Sequence, residues 1–273
     1  MLTDAVYKIF RPPVIKMMMV LGVVFLISPP VPATLSMEPP KASAPSFFFS
    51  ERLVYDISWG GLRVGEAVLQ SESAERLNGR DVFRLVSTAK SNKFLSYFYP
   101  VNDRVESIID AKGLYPYKIT VDQRHGVWQR NRVVQFDQEE HTAELLAKGR
   151  TSKFNVPPQV QDSLSSLYYF RTLSNLIPGT SVFIDVHESK KNWKLEVQIL
   201  GREMLRTAIG TVPTIKVKAV VLYEGLLMNK GDLYVWLTDD ARRIPVLMNG
   251  KVSIGSVRAT LSRLEPPQLL PSP

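Results

Sequence analysis

The sequence predicts a mainly β fold: a strongly curved antiparallel sheet, or an incomplete barrel or sandwich, of about a dozen strands with one embedded α-helix. Three observations predict it. Apolar residues recur at every second position through most of the interval from Phe47 to Leu264, as in strands that bury one face. Turn signals punctuate those runs, among them Asn78-Gly79, Lys112-Gly113 and His125-Gly126, and Asn-Gly suits the two positive φ angles of a tight hairpin turn. One segment alone, after Pro157-Pro158, changes to the helical period.

The first strand is read from Leu53-Val-Tyr-Asp-Ile-Ser-Trp59, in which Leu53, Tyr55, Ile57 and Trp59 share a face. Gly60-Gly61 then permits a turn, and Val64 to Gln70 and Val82 to Thr88 follow as strands. Asn102 to Ile109, Tyr117 to Arg124 and Val127 to Phe136 repeat the alternation, with shorter strands at Thr142 to Leu146 and Ser152 to Val156. The helix is expected from Gln161-Asp-Ser-Leu-Ser-Ser-Leu-Tyr-Tyr-Phe-Arg171 to about Leu176. Asp162 is its N-cap, and Leu164, Leu167, Tyr168 and Arg171 lie on one helical face. Pro178-Gly179 ends it. Strands resume at Val182 to His187, Trp193 to Leu200, Thr214 to Tyr223, Asp232 to Leu237, Ile244 to Met248 and Val252 to Leu264. No repeat of 20–50 residues is present, which argues against a solenoid or propeller.

The two ends read differently from this interval. Arg11 and Lys16 precede the apolar run Met17 to Ile27, and Val31-Pro32-Ala33 offers a small residue for cleavage. That pattern fits a secretory signal over residues 1–33 better than a membrane span of about 20 residues. Cleavage after Ala33 to give a periplasmic protein is the expectation, with an uncleaved signal anchor as the alternative. Residues 34–46 form a Pro/Ala/Ser leader, 47–264 a single β-rich domain, and 265–273 a proline-broken tail. A domain split at Pro157-Pro158 is the other reading.

Composition narrows the chemistry. The 273 residues contain no cysteine, which excludes disulfides, thiolate–zinc sites and thiol nucleophiles. His125, His141 and His187 are far apart in sequence, so no cofactor or metal site is expected. Of the formal charge of +8, residues 1–33 contribute +2 and the rest +6. Lys and Arg are dispersed, so the surplus points to anionic envelope partners or to plain solubility rather than to nucleic acid. Gly60-Gly61 and Gly65 lie in strand-like sequence, unlike a phosphate-binding loop. No Gly-x-Ser-x-Gly or His-Glu-x-x-His motif occurs.

Two segments are distinctive: the helical Gln161–Arg171, and Gly231-Asp-Leu-Tyr-Val-Trp-Leu-Thr-Asp-Asp-Ala-Arg-Arg-Ile-Pro-Val246 with the following Lys251-Val-Ser-Ile-Gly-Ser-Val257. With the opening Leu53-Val-Tyr-Asp-Ile-Ser-Trp-Gly-Gly-Leu-Arg-Val-Gly65, they resemble the bacterial family called domain of unknown function 3108, over about Glu51 to Leu264. The resemblance implies an exported, β-rich envelope protein and supplies no activity. A curved sheet similar to that of periplasmic lipoprotein carriers is a looser expectation of the same kind.

Each motif has a structural and a functional reading. Thr238, Asp239, Asp240, Arg242 and Arg243 are expected to close a turn between two strands, with Asp162 as a helix cap. A catalytic carboxylate pair is disfavoured, because neighbouring strand residues point to opposite faces. Phe94-Leu-Ser-Tyr-Phe-Tyr99 is assigned to core packing, with a patch that docks a protein partner as the alternative. Gly225-Leu-Leu-Met-Asn-Lys-Gly231 sets three large apolar residues in a loop, which suits the mouth of a hydrophobic pocket. The candidate ligand-binding residues are therefore Tyr168 and Arg171 on the helix, Leu226, Leu227, Met228 and Lys230 in the loop, and Trp236 on the next strand. The expected function is non-enzymatic binding of a lipid or other amphipathic envelope molecule, with peripheral membrane contact allowed. A protein-docking envelope module is the alternative, and a glycan-acting hydrolase stands third.

Overall fold

The computed structural model describes residues 50–73, 76–188, 190–223, 226–227, 232–251 and 255–265. The expected signal, its cleavage site, the leader and most of the tail lie outside the described residues, as do Met228 and Lys230.

Among the described residues, fifteen strands belong to one antiparallel sheet. Its first half is a meander of β1 (Ser50–Trp59), β2 (Leu62–Ser73), β3 (Val82–Ser91), β4 (Val101–Asp110), β5 (Pro116–His125), β6 (Trp128–Asp137), β7 (Thr142–Ala147) and β8 (Arg150–Asn155). The second half runs β9 (Ser181–Glu188), β10 (Lys191–Thr207), β11 (Gly210–Tyr223), β12 (Leu226–Leu227), β13 (Leu233–Thr238), β14 (Pro245–Lys251) and β15 (Ser256–Glu265). The strand order is β8-β7-β6-β5-β4-β3-β2-β1-β15-β14-β13-β11-β10-β9, and the short β12 pairs with β11 off this path. The β1–β15 pair, with Leu53 opposite Leu264 and Trp59 opposite Val257, joins the two halves. The turn chemistry explains why consecutive strands pair. Asn78 and Gly79 adopt φ angles of 49° and 78°, as a tight hairpin turn requires.

No strand pairing joins β8 to β9, so the sheet does not close into a barrel. Its two ends nonetheless meet through side chains. Arg132 of β6 forms an ion pair with Glu188 of β9. The His187 ring lies 5.6 Å from Phe154 and 6.1 Å from Phe136, and Asn192 Nδ2 donates to Asn155 O at 2.8 Å. A sheet whose opposite ends touch is strongly curved, in keeping with the right-handed twist that strands accumulate. The segment after β8 seals the seam: Gln161 forms a parallel bridge with Val186, its N–H donating to Asp185 O and its carbonyl accepting from His187 N.

Among the described residues two helices accompany the sheet, one more than the sequence predicts. Helix α1 (Lys93–Phe98) connects β3 to β4, and α2 (Ser165–Thr172) follows the seam segment. α2 is shorter than the span read from the sequence, because Gln161 is taken up by the bridge to β9. Asp162 Oδ1 accepts the N–H groups of Leu164 and Ser165, both at 2.7 Å, and its Oδ2 accepts the Ser107 hydroxyl at 2.5 Å. These bonds satisfy helix-end donors that would otherwise be buried unpaired. Leu164, Tyr168 and Phe170 then pack with Leu53, Leu69 and Leu237 in the main core. Burying a side chain of that size contributes about 1.5–3 kcal/mol. A second core, around Ile119, Val134, Phe136 and Leu145, lies on β5–β7.

Candidate functional site at the α1 rim

Five connections fall side by side along one rim of the sheet. Gly126 N of the β5–β6 turn donates to Pro100 O beside α1. Asn92, which precedes α1, donates from N to Val64 O and from Nδ2 to Arg63 O, tying α1 to the β1–β2 turn. Gly60 N donates to Ser256 O, and Lys251 N to Asp232 O, so the β14–β15 and β11–β13 connections continue the row.

Helix α1 exposes a cluster of apolar side chains on this rim. Asn92 Oδ1 accepts Leu95 N at 2.9 Å and so starts the helix. Leu95 and Tyr99, four residues apart, turn inward onto Val64 and Val101. That choice leaves Phe94, Tyr97 and Phe98 on the outer side, with Tyr97 84% exposed. Their rings stack edge to face, 5.0 Å for Tyr97–Phe98 and 5.8 Å for Phe94–Phe98. Val127, 94% exposed, and Trp128 flank the helix on one side, and exposed Leu62 on the other.

Beneath this rim the inner face of the sheet is only half-buried. Ile57 and Trp59 of β1, Ala89 of β3, Val105 of β4 and Trp193 of β10 pack at the margins of the core clusters. Val105 touches both the main core and the β5–β7 core. Strand alternation puts Arg130 and Arg132 on the same face as buried Val134 and Phe136. Both carboxylate oxygens of Asp103 lie 2.8 Å from His125 Nε2, a buried pair under α1. Burial and the Asp103 charge push the Tyr99 hydroxyl up to about 12, so it stays protonated. The rim thus offers apolar surface, cations and a fixed polar floor, which suits an amphipath with an anionic head.

The residues singled out in the sequence are not gathered in one place. Tyr168 and Arg171 lie in the core: Arg171 reaches Glu51 Oε2 through Nη1 at 2.8 Å and Oε1 through Nη2 at 2.9 Å. Its guanidinium also donates to the carbonyls of Arg242 and Arg243. Trp236 faces the other side of the sheet from buried Val235 and Leu237, where Lys216 Nζ sits 4.8 Å from its ring centroid. Leu226 and Leu227 form β12, opposite Tyr223 and Leu222, on the rim. In the β13–β14 turn, Asp240 Oδ1 accepts from Thr238 Oγ1, Arg242 N and Arg243 N. Asp239 accepts from Arg202 Nε at 2.7 Å. Among the described residues no cluster of His, Asp and Glu has metal-site geometry. No described helix is long and apolar enough to cross a membrane.

The aromatic run of α1, expected in core packing, is buried only at Leu95 and Tyr99, while Phe94, Tyr97 and Phe98 are exposed. Five apolar residues within Phe94–Tyr99 exceed what one face of a short helix can bury, and that excess is the signal that marks them.

The model of the family described as Protein of unknown function (DUF3108) matches residues 54–262. The chain belongs to the DUF3108 family. Among solved structures, a beta-barrel-like protein of domain of unknown function DUF1849 from Brucella abortus shares the fold, with a TM-score of 0.55 at 10% identity, over 80% of this chain and 98% of that one. An exported protein with YmcC-like fold from Bacteroides fragilis matches at a TM-score of 0.35 and 11% identity, over 80% and 99%. Lipoprotein LppX from Mycobacterium tuberculosis matches at 0.25 and 13%, over 80% and 87%. At those two scores neither carries an argument about this DUF3108 chain. No curated protein matches it.

Proposed function

We propose that this protein binds an amphipathic molecule of the bacterial cell envelope, without catalysing a reaction, at the α1 rim of its curved sheet. The observation that carries the reading is the coincidence at one rim of a half-buried apolar inner face, around Ile57, Trp59 and Val105, with exposed aromatics above it. An acyl chain enters between these side chains, and each CH₂ it buries contributes about 0.8 kcal/mol. Arg130, exposed on the same face of β6, meets the anionic head. The signal-like Arg11–Ala33 segment supports an envelope address.

A solvatochromic fatty-acid probe tests the reading. Saturable binding that Val105→Glu weakens at least about tenfold is expected, since a charge would enter the apolar lining. Binding unchanged by that substitution would remove the proposed site. A protein-docking module is the second reading, favoured by the α2 half of the inner face, where Tyr168 and Arg171 are fully buried and leave no opening.

A further inference from the structure

We infer that the α1 rim docks on an anionic phospholipid surface, with Phe94, Tyr97 and Phe98 entering the interfacial layer and the surrounding cations meeting lipid phosphates. The inference uses the same rim as the proposed binding site but concerns how the protein meets a bilayer and does not require that it extract a lipid, so either can hold without the other.

The aromatic side chains are exposed together because of the fold. Leu95 and Tyr99 fix the orientation of α1 through their core contacts, and Asn92 anchors its start to Arg63 and Val64. The patch is therefore held rigidly outward, and ordering it costs little on binding. A ring with a polar edge, such as that of Tyr97, favours the headgroup level of a bilayer, and Phe94 and Phe98 add wholly apolar rings beside it within the same five residues.

Charge selects the occupant. The three segments that make this part of the rim, residues 59–63, 87–102 and 124–132, hold Arg63, Lys90, Lys93, Arg124, Arg130 and Arg132, with Asp103 just beyond them buried against His125. They contain no Asp or Glu. Asp56 and Glu66 reach in from outside to pair with Arg63, Asp122 with Arg124 and Glu188 with Arg132. Lys90, which stands opposite Glu66 in the β2–β3 register, and Lys93, the first residue of α1, have no carboxylate at ion-pair distance among the described residues. A patch of aromatics ringed by lysine and arginine matches an anionic bilayer, to which each Lys or Arg near the surface adds about fivefold in affinity.

The test mixes the full chain with vesicles of phosphatidylcholine, with and without phosphatidylglycerol, and reads quenching of Trp128 by bromine-labelled acyl chains. Trp128→Phe supplies the background. Trp128 is expected to be quenched in the anionic vesicles alone. Phe94→Ser/Tyr97→Ser/Phe98→Ser should abolish quenching, and Lys90→Gln/Lys93→Gln should weaken binding about 20-fold while leaving the melting temperature unchanged. Vesicle association through the Met17–Ile27 segment without Trp128 quenching overturns the inference. So does a dimer in solution that buries the α1 face, or a protein partner that protects it. A chain that carries lipid but gives no quenching loses this inference and keeps the proposed function. Quenching without bound lipid does the reverse.

Discussion

Arg171, near the end of α2, forms a two-pronged ion pair with Glu51 at the start of β1, and both side chains are buried. The pair joins positions 120 residues apart. It locks the helix to the centre of the sheet, where the two half-meanders meet through β1 and β15. Burial opposes the arginine's charge, but the charge of Glu51 and the hydrogen bonds to it hold the guanidinium above its ordinary pKa. Arg171→Met therefore strips the buried Glu51 carboxyl of its two-pronged partner, leaving only Arg242 at 3.7 Å, and should cost about 3–5 kcal/mol in urea unfolding. The double substitution Glu51→Gln/Arg171→Met should recover most of that loss.

Asp162 plays a comparable part at the other end of α2. Asp162→Ala deprives the N–H groups of Leu164 and Ser165 and the Ser107 hydroxyl of their acceptor. A loss of about 2–3 kcal/mol is expected from those buried donors. Calorimetry should show it as a lowered Tm, with Ser107→Ala giving the smaller effect.

Much of this was legible in the sequence. The strands, the Asn78-Gly79 turn and the α2 face were, because alternation and turn chemistry act locally. The far half of β10, from Gly201 to Thr207, was not, since Arg202, Glu203 and Arg206 are polar and the strand bulges between Ile199 and Gly201. The partner of Arg171 was also beyond reach. A helix face shows that a residue turns inward, but finding Glu51 requires the three-dimensional path of the chain. The ligand set read from the sequence spread over both faces of the sheet for the same reason: Trp236 and Arg171 each looked apt alone.

The seam should respond to acid. Burial holds the His187 imidazole below its ordinary value of 6.5, while its bond to Asn192 opposes that shift. A histidine kept neutral in the folded chain takes up protons more readily when unfolded. Its contribution to stability is complete above about 6.5 and falls as the pH drops below that value. The wild-type Tm should therefore decline between pH 7 and 5 more steeply than that of His187→Gln, with hydrogen exchange at Gln161 and His187 rising first.

Gly65 brings β2 close to β3. A Cβ there would lie 2.3 Å from the Lys90 carbonyl oxygen. Gly65→Ala should cost about 1–3 kcal/mol, as forced overpacking does. Because Asn92 N bonds to Val64 O, it should also loosen α1, seen as faster exchange at Leu95 and Ser96.

The most direct test of amphipath binding is native mass spectrometry of the chain isolated gently from cell envelopes. The account predicts an added mass of lipid size, lost in Val105→Glu while the variant remains folded. A wild-type chain that flies bare, and stays bare after incubation with envelope lipid extract, would contradict it.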